Sequence, residues 1–146
     1  MAAGHIDYEA VFRSYPVPIL LLTPDFVIVD ANASYGETAG RSAEQLLGKP
    51  VLDAFPDNPG DPGGTGTTNL MDSLRRVVAT GEPDTMPLQR YDVQEQEGEG
   101  EFRERYWCPV NVPVTGPDGK VELIIHAVEE VSDLIRKFVA AQAASA

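Results

Sequence analysis

Two long segments near the C-terminus, 102–114 and 121–128, constrain the fold more strongly than any other part of the chain. In both segments apolar side chains alternate with others, and β-branched and aromatic residues are frequent, so the period of two predicts β-strands. Between them, Gly116-Pro117-Asp118-Gly119 provides turn chemistry, because proline presets φ and Gly119 can adopt a positive φ. We therefore predict a long antiparallel hairpin as the central element. Both of its faces carry apolar side chains, so other elements have to cover both sides.

The alternation also assigns side chains to the two faces of each strand. In the first strand one face carries Tyr106, Cys108, Val110, Val112 and Val114, and the other carries Arg105, Trp107 and Asn111. In the second strand one face carries Val121, Leu123, Ile125 and Ala127, and the other carries Ile124, His126 and Val128. Pro109 and Pro113 remove backbone donors, so we predict a bend or bulge in the first strand. The side chain of Asn111 is expected to replace the lost hydrogen bonds.

The rest of the chain predicts elements whose limits follow from proline, glycine and capping residues. Further strands are expected at 18–23, 26–31 and 86–93. Helices are expected at 7–15, 33–39, 42–48, 50–55, 69–80 and 132–143. Asn32, the Ser42–Gln45 capping box and Ser132 are the predicted helix caps. The predicted apolar face of the 69–80 helix consists of Leu70, Met71, Leu74, Val77 and Val78. Residues 56–66 read as a Gly/Pro/Asp loop, and 94–101 as an acidic, solvated hairpin loop. This order predicts an α+β fold, in which a five-stranded antiparallel sheet carries short helices on one face and is flanked by N- and C-terminal helices.

Composition limits the classes of partner. The 146 residues suit one domain, with a core at about 16–131. The net charge of −12 opposes binding to nucleic acid or to an anionic membrane. A single cysteine cannot form an internal disulfide, and a reducing, cytoplasmic compartment fits this usage. The chain has neither a signal-peptide pattern nor an apolar run of about 18 residues, so we expect no membrane span.

Four strings occur in an order and spacing that match one known family. Segment 22–32 reads LTPDFVIVDAN, 38–48 reads TAGRSAEQLLG, 114–121 reads VTGPDGKV, and 130–132 reads EVS. Together they resemble a PAS domain, a signal-sensing module: its first hairpin, its two-helix connection, its last turn and the Asp-Val/Ile-Thr ending of its final strand. Glu130 and Ser132 stand where that ending has Asp and Thr. Segment 105–114 resembles a PAS subgroup found ahead of bacterial effectors such as histidine kinases.

The resemblance implies a single sensor domain over 1–146, with no chemistry of its own. A small ligand would lie between the sheet and the helices of 33–80. The candidate wall residues are Tyr35, Met71, Leu74, Val78, Tyr91, Arg105, Trp107 and His126. Two interpretations remain open for Arg90, Arg103 and Arg105: a clamp for a ligand carboxylate, or ion pairs across strands with the acids of 95–104.

The identity of a cofactor stays open, and the residues disfavour both flavin and haem. Flavin-binding light sensors of this family carry an Asn-Cys-Arg-Phe string, which is absent, and Cys108 is expected to be a buried structural thiol. Haem-binding members usually ligate iron from the longer interior helix, but segment 69–80 has no histidine. We therefore expect His126 to be a satisfied core or edge residue. No histidine, cysteine or acid pair has metal-ligand spacing.

Both predicted terminal helices carry an apolar stripe. The first contains Tyr8, Val11, Phe12 and Tyr15, and the last contains Leu134, Ile135, Phe138 and Val139. In PAS domains such helices commonly cover the outer sheet face, within one chain or by exchange, and the resemblance therefore implies a homodimer. The last helix also resembles the start of a coiled-coil linker to an effector.

Three functions compete at this point. The first is a cytoplasmic PAS sensory or dimerisation module that regulates an effector of the histidine-kinase or phosphatase type. The second is a ligand-free protein-interaction domain. The third is a small α+β enzyme in which a buried carboxylate near His126 performs acid–base chemistry, with Glu122, Glu129 and Glu130 as the acids that can be placed nearby.

Overall fold

The computed structural model describes residues 4–56, 66–90, 93–96 and 99–145. The helices are α1 (Tyr8–Ser14), α2 (Ala33–Ala39), α3 (Ala43–Leu46), α4 (Val51–Ala54), α5 (Gly66–Thr80) and α6 (Ser132–Ser145). The strands are β1 (Ile19–Leu22), β2 (Ile28–Ala31), β3 (Asp84–Thr85), β4 (Gln89–Arg90), β5 (Val93–Gln96), β6 (Glu99–Arg103), β7 (Tyr106–Thr115) and β8 (Val121–Glu130). Each described helix falls short of the length and apolar character needed to cross a bilayer.

The strands β7 and β8 form the centre of an antiparallel sheet with the order β2-β1-β8-β7-β3. Nine residue pairs join β7 to β8, and β1 pairs with the other side of β8. The prediction of a central C-terminal hairpin is therefore confirmed, as is the α+β class. The edge beyond β7 is divided between two short strands, β3 and β4, which gives the sheet six strands instead of five.

The segment that precedes β7 differs from the sequence-based expectation. Within the described part of the strand predicted over 86–93, only β4 and the first residue of β5 are extended, and β3 lies just before it. The described residues of the predicted acidic loop, 94–101, lie in β5 and β6, which pair with each other. Phe102 belongs to β6, so β7 begins at Tyr106. The alternating pattern runs through the break at residues 104–105, and for that reason the pattern alone could not locate it.

The predicted bulge of β7 at its two prolines is absent: the register of this ladder shifts between Val114 and Thr115, where the extra residue, Glu122, belongs to β8. The register between β7 and β8 is continuous from Trp107 to Val114. The carbonyl of Pro109 accepts a hydrogen bond from the Met86 amide, so the backbone polar groups of Pro109 face the divided edge. Pro113 lies four residues further along and faces the same side, beyond the end of β3. A second irregularity lies in the edge, where the pairing of β4 with β7 is offset by one residue from that of β3.

The inner face of the sheet packs against α2 to α5 and forms the core. On the sheet it contains Leu20, Leu22, Ile28, Trp107, Ile124 and Val128. The helices contribute Tyr35, Ala39, Leu46, Val51, Ala54, Phe55, Leu74 and Val77. On α5 the expected apolar face is confirmed for Leu74 and Val77, whereas Val78 is 37% exposed.

Asn32 ties the first hairpin to α2. Its Oδ1 accepts hydrogen bonds from the amides of Tyr35 and Ile19, each at 3.0 Å, and its Nδ2 donates to the Val17 carbonyl at 2.9 Å. The side chain therefore caps the helix and holds the entry to β1 at the same time. Gly40 ends α2 at φ 69°, a conformation that glycine adopts without a Cβ penalty.

The outer face of the sheet is only partly covered within the single chain. Val110, Val112 and Ile125 are half-buried on it. Cys108 lies on the same face and is exposed, which corrects the expectation of a buried thiol. On the terminal helices the exposed fractions are 73% for Tyr8, 64% for Leu134 and 61% for Phe138.

We expect Asn32→Ala to lower the free energy of unfolding by about 2–4 kcal/mol, because it leaves several buried backbone groups without partners. Ser42→Ala is the matched control. It removes the exposed capping box of α3 and should cost about 1 kcal/mol. Urea denaturation measures both variants, and equal losses would contradict the double role of Asn32.

Candidate functional site

A cavity of about 60 Å³ lies between the inner face of the sheet and the helices. Its lining consists of Tyr35, Ala39, Val51, Phe55, Gly66, Leu70, Met86, Gln89, Trp107, Pro109, His126 and Val128. Aspartate, glutamate, lysine and arginine are absent from this described lining. The volume is several times the ~10–15 Å³ that one water requires, and well below the ~300–1,000 Å³ of pockets for drug-sized ligands. The cavity therefore has the size and polarity for a compact, largely apolar molecule.

Three of the predicted wall residues, Tyr35, Trp107 and His126, line this cavity together. Leu74 is fully buried in the core and Met71 packs against it, but neither reaches the lining. The other predicted wall residues lie elsewhere or cannot be placed: Val78 is exposed, Arg105 pairs with Glu130, and Tyr91 lies outside the described residues.

The sequence analysis missed several lining residues for different reasons. Pro109 shares the face of Trp107 and Asn111, so the alternation of β7 could have identified it. Gln89 and Met86 line the cavity at the divided edge formed by β3 and β4, and no sequence pattern predicted this division.

A chain of hydrogen bonds runs from the cavity to the protein surface. His126 Nδ1 lies 2.6 Å from Asn111 Oδ1, and Asn111 Nδ2 donates to Ser73 Oγ at 2.9 Å. Ser73 Oγ donates to Asp84 Oδ2 at 2.5 Å, and the guanidinium of Arg76 binds the same carboxylate at 2.9 Å. Asn111 therefore joins two strands to α5. The prediction that its side chain replaces the backbone hydrogen bonds lost at the prolines is wrong.

The two ends of this chain have different electrostatic environments. Hydrogen bonds from Arg76 and then from Ser73 hold the pKa of Asp84 below its ordinary value, so the carboxylate is ionised at neutral pH. Burial lowers the pKa of His126 from 6.5 to about 4, so the imidazole is neutral there. His126 is thus a core histidine, as expected, and its Nδ1 is paired with Asn111.

Arg41 lies behind the aromatic wall of the cavity. Its guanidinium stacks over the Phe55 ring at 4.9 Å from the ring centroid, and it donates to the carbonyl of Ala54. Tyr35 packs edge-on against the same Phe55 ring, with 5.7 Å between centroids. Burial raises the pKa of Tyr35, so the phenol stays protonated at any physiological pH. These contacts fix the position of both rings.

A second polar cluster, which we call the joint, connects the sheet to α6 and consists of Arg105, Tyr106, Glu130 and Ser132. Glu130 Oε1 accepts from Arg105 at 2.5 Å, and its Oε2 accepts from the Ser132 amide at 2.6 Å. Ser132 Oγ in turn accepts from the Tyr106 amide at 2.9 Å. The first residue of α6 is therefore held to the start of β7 and the end of β8.

The joint gives its acid a low pKa and its serine an unexpected role. Burial alone would raise the pKa of Glu130, but hydrogen bonds from Ser132 and Arg105 outweigh it and hold the pKa below its usual value. Ser132 begins α6, and it had been expected to cap this helix. Its hydroxyl instead accepts a hydrogen bond from the Tyr106 amide of β7.

The comparisons identify the family. A family model described as PAS fold matches residues 12–136. The chain belongs to the PAS family. No curated protein matches it. Solved PAS structures share its fold at low sequence identity. The PAS domain of a Colwellia psychrerythraea protein is 17% identical with a TM-score of 0.67, over 86% of this chain and 95% of that one.

Two further solved structures extend the comparison. A sensory box sensor histidine kinase from Vibrio cholerae is 18% identical with a TM-score of 0.56, over 85% of this chain and 87% of that one. VqmA bound to DPO is 19% identical with a TM-score of 0.58, over 86% of this chain. The PAS domain described here spans only 57% of that VqmA chain.

Of the three arginines considered as a ligand clamp, the two whose side chains can be described in this PAS domain form ion pairs. Arg90 lies 3.7 Å from Glu104, and Arg105 binds Glu130. The first pair agrees with the predicted cross-strand pairing, and the second joins different partners from those expected. The side chain of Arg103 lies outside the described part of the chain. Within that part, no group of three histidine, cysteine or acidic residues is arranged to hold a metal ion.

We expect the stability of this PAS domain to fall on mild acidification because of His126. Its pKa is about 4 in the folded protein and near 6.5 in the unfolded chain, so the unfolded state binds the proton first as the pH falls. Between pH 7 and pH 5 the free energy of unfolding should decrease by about 2 kcal/mol from this group. Urea denaturation at both pH values measures it.

His126→Gln is the comparison variant, because it removes the titrating imidazole and keeps an amide donor. The acidic residues contribute equally to both proteins, so the difference between the two pH dependences reports His126 alone. The same dependence in wild type and variant would show that His126 is not buried as a neutral group.

Proposed function

We propose that this PAS domain is a sensory module that binds a small compound in its cavity and passes the signal to an effector through α6. The observation that carries the proposal is that the same two strands line the cavity and form the joint. Trp107, His126 and Val128 line the cavity, whereas Tyr106 begins β7 and Glu130 ends β8, next to α6. A ligand that moves β7 or β8 would therefore act on the first turn of α6.

The geometry of β8 supports this path. His126, Val128 and Glu130 alternate onto the same face, each about 7 Å from the next along the strand. The last cavity residue of β8 and the acid of the joint are therefore direct neighbours on one face. The similarity in fold to a sensor histidine kinase of Vibrio cholerae and to VqmA bound to DPO is compatible with a sensory role.

We further propose that the module acts as a homodimer in the cytoplasm. The exposed apolar residues of α1 and α6 and the half-covered outer face of the sheet support a second copy as the cover. The single, unpaired Cys108 fits a reducing compartment. The net charge of −12 argues against direct contact between this segment and nucleic acid or an anionic membrane.

The competing hypotheses have less support. A ligand-free interaction domain fits the exposed helices equally well but leaves the apolar cavity without a use. For an enzyme, the acids expected near His126 are poorly placed: Glu122 and Glu129 are exposed, and Glu130 is held in the joint. The amide of Asn111 stands between His126 and Asp84, and an amide does not pass a proton as a second imidazole or carboxylate would. We therefore propose that the module has no catalytic activity.

Xenon provides a test of cavity and path together, because it enters apolar cavities regardless of hydrogen bonding. We expect xenon pressure to shift the amide resonances of β7, β8 and the joint in ¹H–¹⁵N spectra. Ala39→Val adds bulk to the cavity wall and should remove these shifts, whereas Ala33→Val, at the exposed start of the same helix, should keep them. Shifts that stop short of Tyr106 and Ser132 would contradict the path to α6.

A substitution on α6 tests the dimer. Phe138→Glu places a charge on the exposed apolar stripe and should convert the dimer into a monomer. Ala140→Glu adds the same charge about 200° around the helix, outside the stripe, and should leave the dimer intact. Sedimentation velocity at micromolar concentration measures both variants. A wild-type protein that sediments as a monomer would overturn the dimer proposal.

A further inference from the structure

The hydrogen-bond chain behind the cavity has only one consistent direction. Asp84 is an ionised carboxylate, which can only accept, so the Ser73 hydroxyl donates to it. Ser73 Oγ then accepts from Asn111 Nδ2, and this contact turns Asn111 Oδ1 toward His126. An amide oxygen can only accept, so His126 Nδ1 carries the hydrogen. Arg76 holds the carboxylate that sets this whole direction.

The neutral imidazole is therefore fixed as one tautomer, with a free lone pair on Nε2. Nδ1 bears the proton, and Nε2 is an acceptor. Among the residues that the structure describes, none hydrogen-bonds Nε2, and the side chain is 95% buried, with 5% of its surface exposed, in the cavity lining. Because no described group donates to this acceptor, a bound molecule with an N–H or O–H group can add a hydrogen bond that the protein alone does not make.

Two other polar side chains of the cavity lining, Gln89 and Tyr35, differ in how far their hydrogen-bonding groups are occupied. The amide of Gln89 is occupied, because its nitrogen donates to the carbonyl of Pro87 at 2.8 Å and its oxygen accepts from Asn69 at 2.7 Å. The hydroxyl of Tyr35 hydrogen-bonds no group in the described part of the chain and can serve a second polar atom of the ligand. The remaining walls are almost entirely apolar.

We propose that the cavity takes a compact, uncharged, largely apolar molecule that carries an N–H or O–H group, and that this group donates a hydrogen bond to His126 Nε2. The proposal rests on the proposed sensory function and names the chemical class of its ligand. A charged ligand is excluded because the described lining holds no opposite charge and burial of an unpaired ion is costly. The volume of about 60 Å³ suits a molecule on the scale of a single ring.

Phenol and fluorobenzene form a matched pair of probes, because they share one ring and only phenol can donate. We expect wild-type protein to bind phenol about five- to tenfold more tightly than fluorobenzene in titrations followed by ¹H–¹⁵N spectra. In His126→Leu this preference should disappear, while Cys108→Ser, on the outer face of the same sheet, should retain it. Equal affinities in the wild type would overturn the proposal.

A second measurement needs no substitution and stays informative if His126→Leu does not fold. Long-range ¹H–¹⁵N spectra of the wild-type imidazole distinguish a protonated ring nitrogen from one with a free lone pair. We expect the Nδ1–H tautomer, and we expect phenol but not fluorobenzene to shift the Nε2 resonance. The Nε2–H tautomer, or an Nε2 resonance that phenol does not move, would overturn the proposal.

The outcomes separate this proposal from the function on which it rests. In one outcome, xenon shifts the amide resonances of the joint while phenol and fluorobenzene bind equally or not at all. In that case the proposed hydrogen bond to His126 Nε2 is wrong, and the proposed path to α6 is supported. If phenol binds through Nε2 but no shift reaches Tyr106 or Ser132, the ligand class stands and the path to α6 fails.

Discussion

The ladder between β7 and β8 is the constraint on which the rest of the structure depends. Its nine pairs survive two prolines, because Pro109 and Pro113 turn their missing donors toward the divided edge and away from β8. If either proline were shifted by one residue, its missing donor would face β8 and interrupt the central pairing. The edge that these prolines face is irregular, because the registers of β3 and β4 on β7 differ by one residue. The cavity borders this irregular edge, since Met86 and Gln89 line it there.

The sequence predicted the parts of the fold that depend on local periodicity and capping. The alternation of β8 assigned Ile124, His126 and Val128 to one face, and all three are buried there. Asn32 and the Ser42–Gln45 pair marked helix starts, and both form the expected caps. The sequence did not predict the break at 104–105, because alternation continues through it while the chain changes partner from β5 to β8. Partner choice is a tertiary property that periodicity does not contain.

The candidate site was predicted less completely, for a related reason. Residues on regular elements, such as Trp107 and His126, could be assigned to the inner face by counting alternate positions. Whether a buried residue fills the core or borders a cavity depends on the packing of several elements. Leu74 and Trp107 both belong to the core cluster, but only Trp107 lines the cavity. Cys108, on the outer face of the sheet, shows that alternation also fails to predict whether a face is covered. Its face of β7 also carries Val110 and Val112, but that face is only partly covered in the single chain.

The buried polar chain from His126 to Asp84 is better explained by orientation than by stability. Burial of Asn111, Ser73 and a neutral imidazole gains little net free energy over an apolar core of the same shape, because each hydrogen bond replaces one to water. An apolar replacement would, however, leave His126 free to choose its tautomer. With the ionised carboxylate of Asp84 at the surface end, every donor and acceptor along the chain has a single assignment. The ion pair between Arg76 and Asp84 thus determines, through Ser73 and Asn111, that His126 offers an acceptor to a ligand in the cavity.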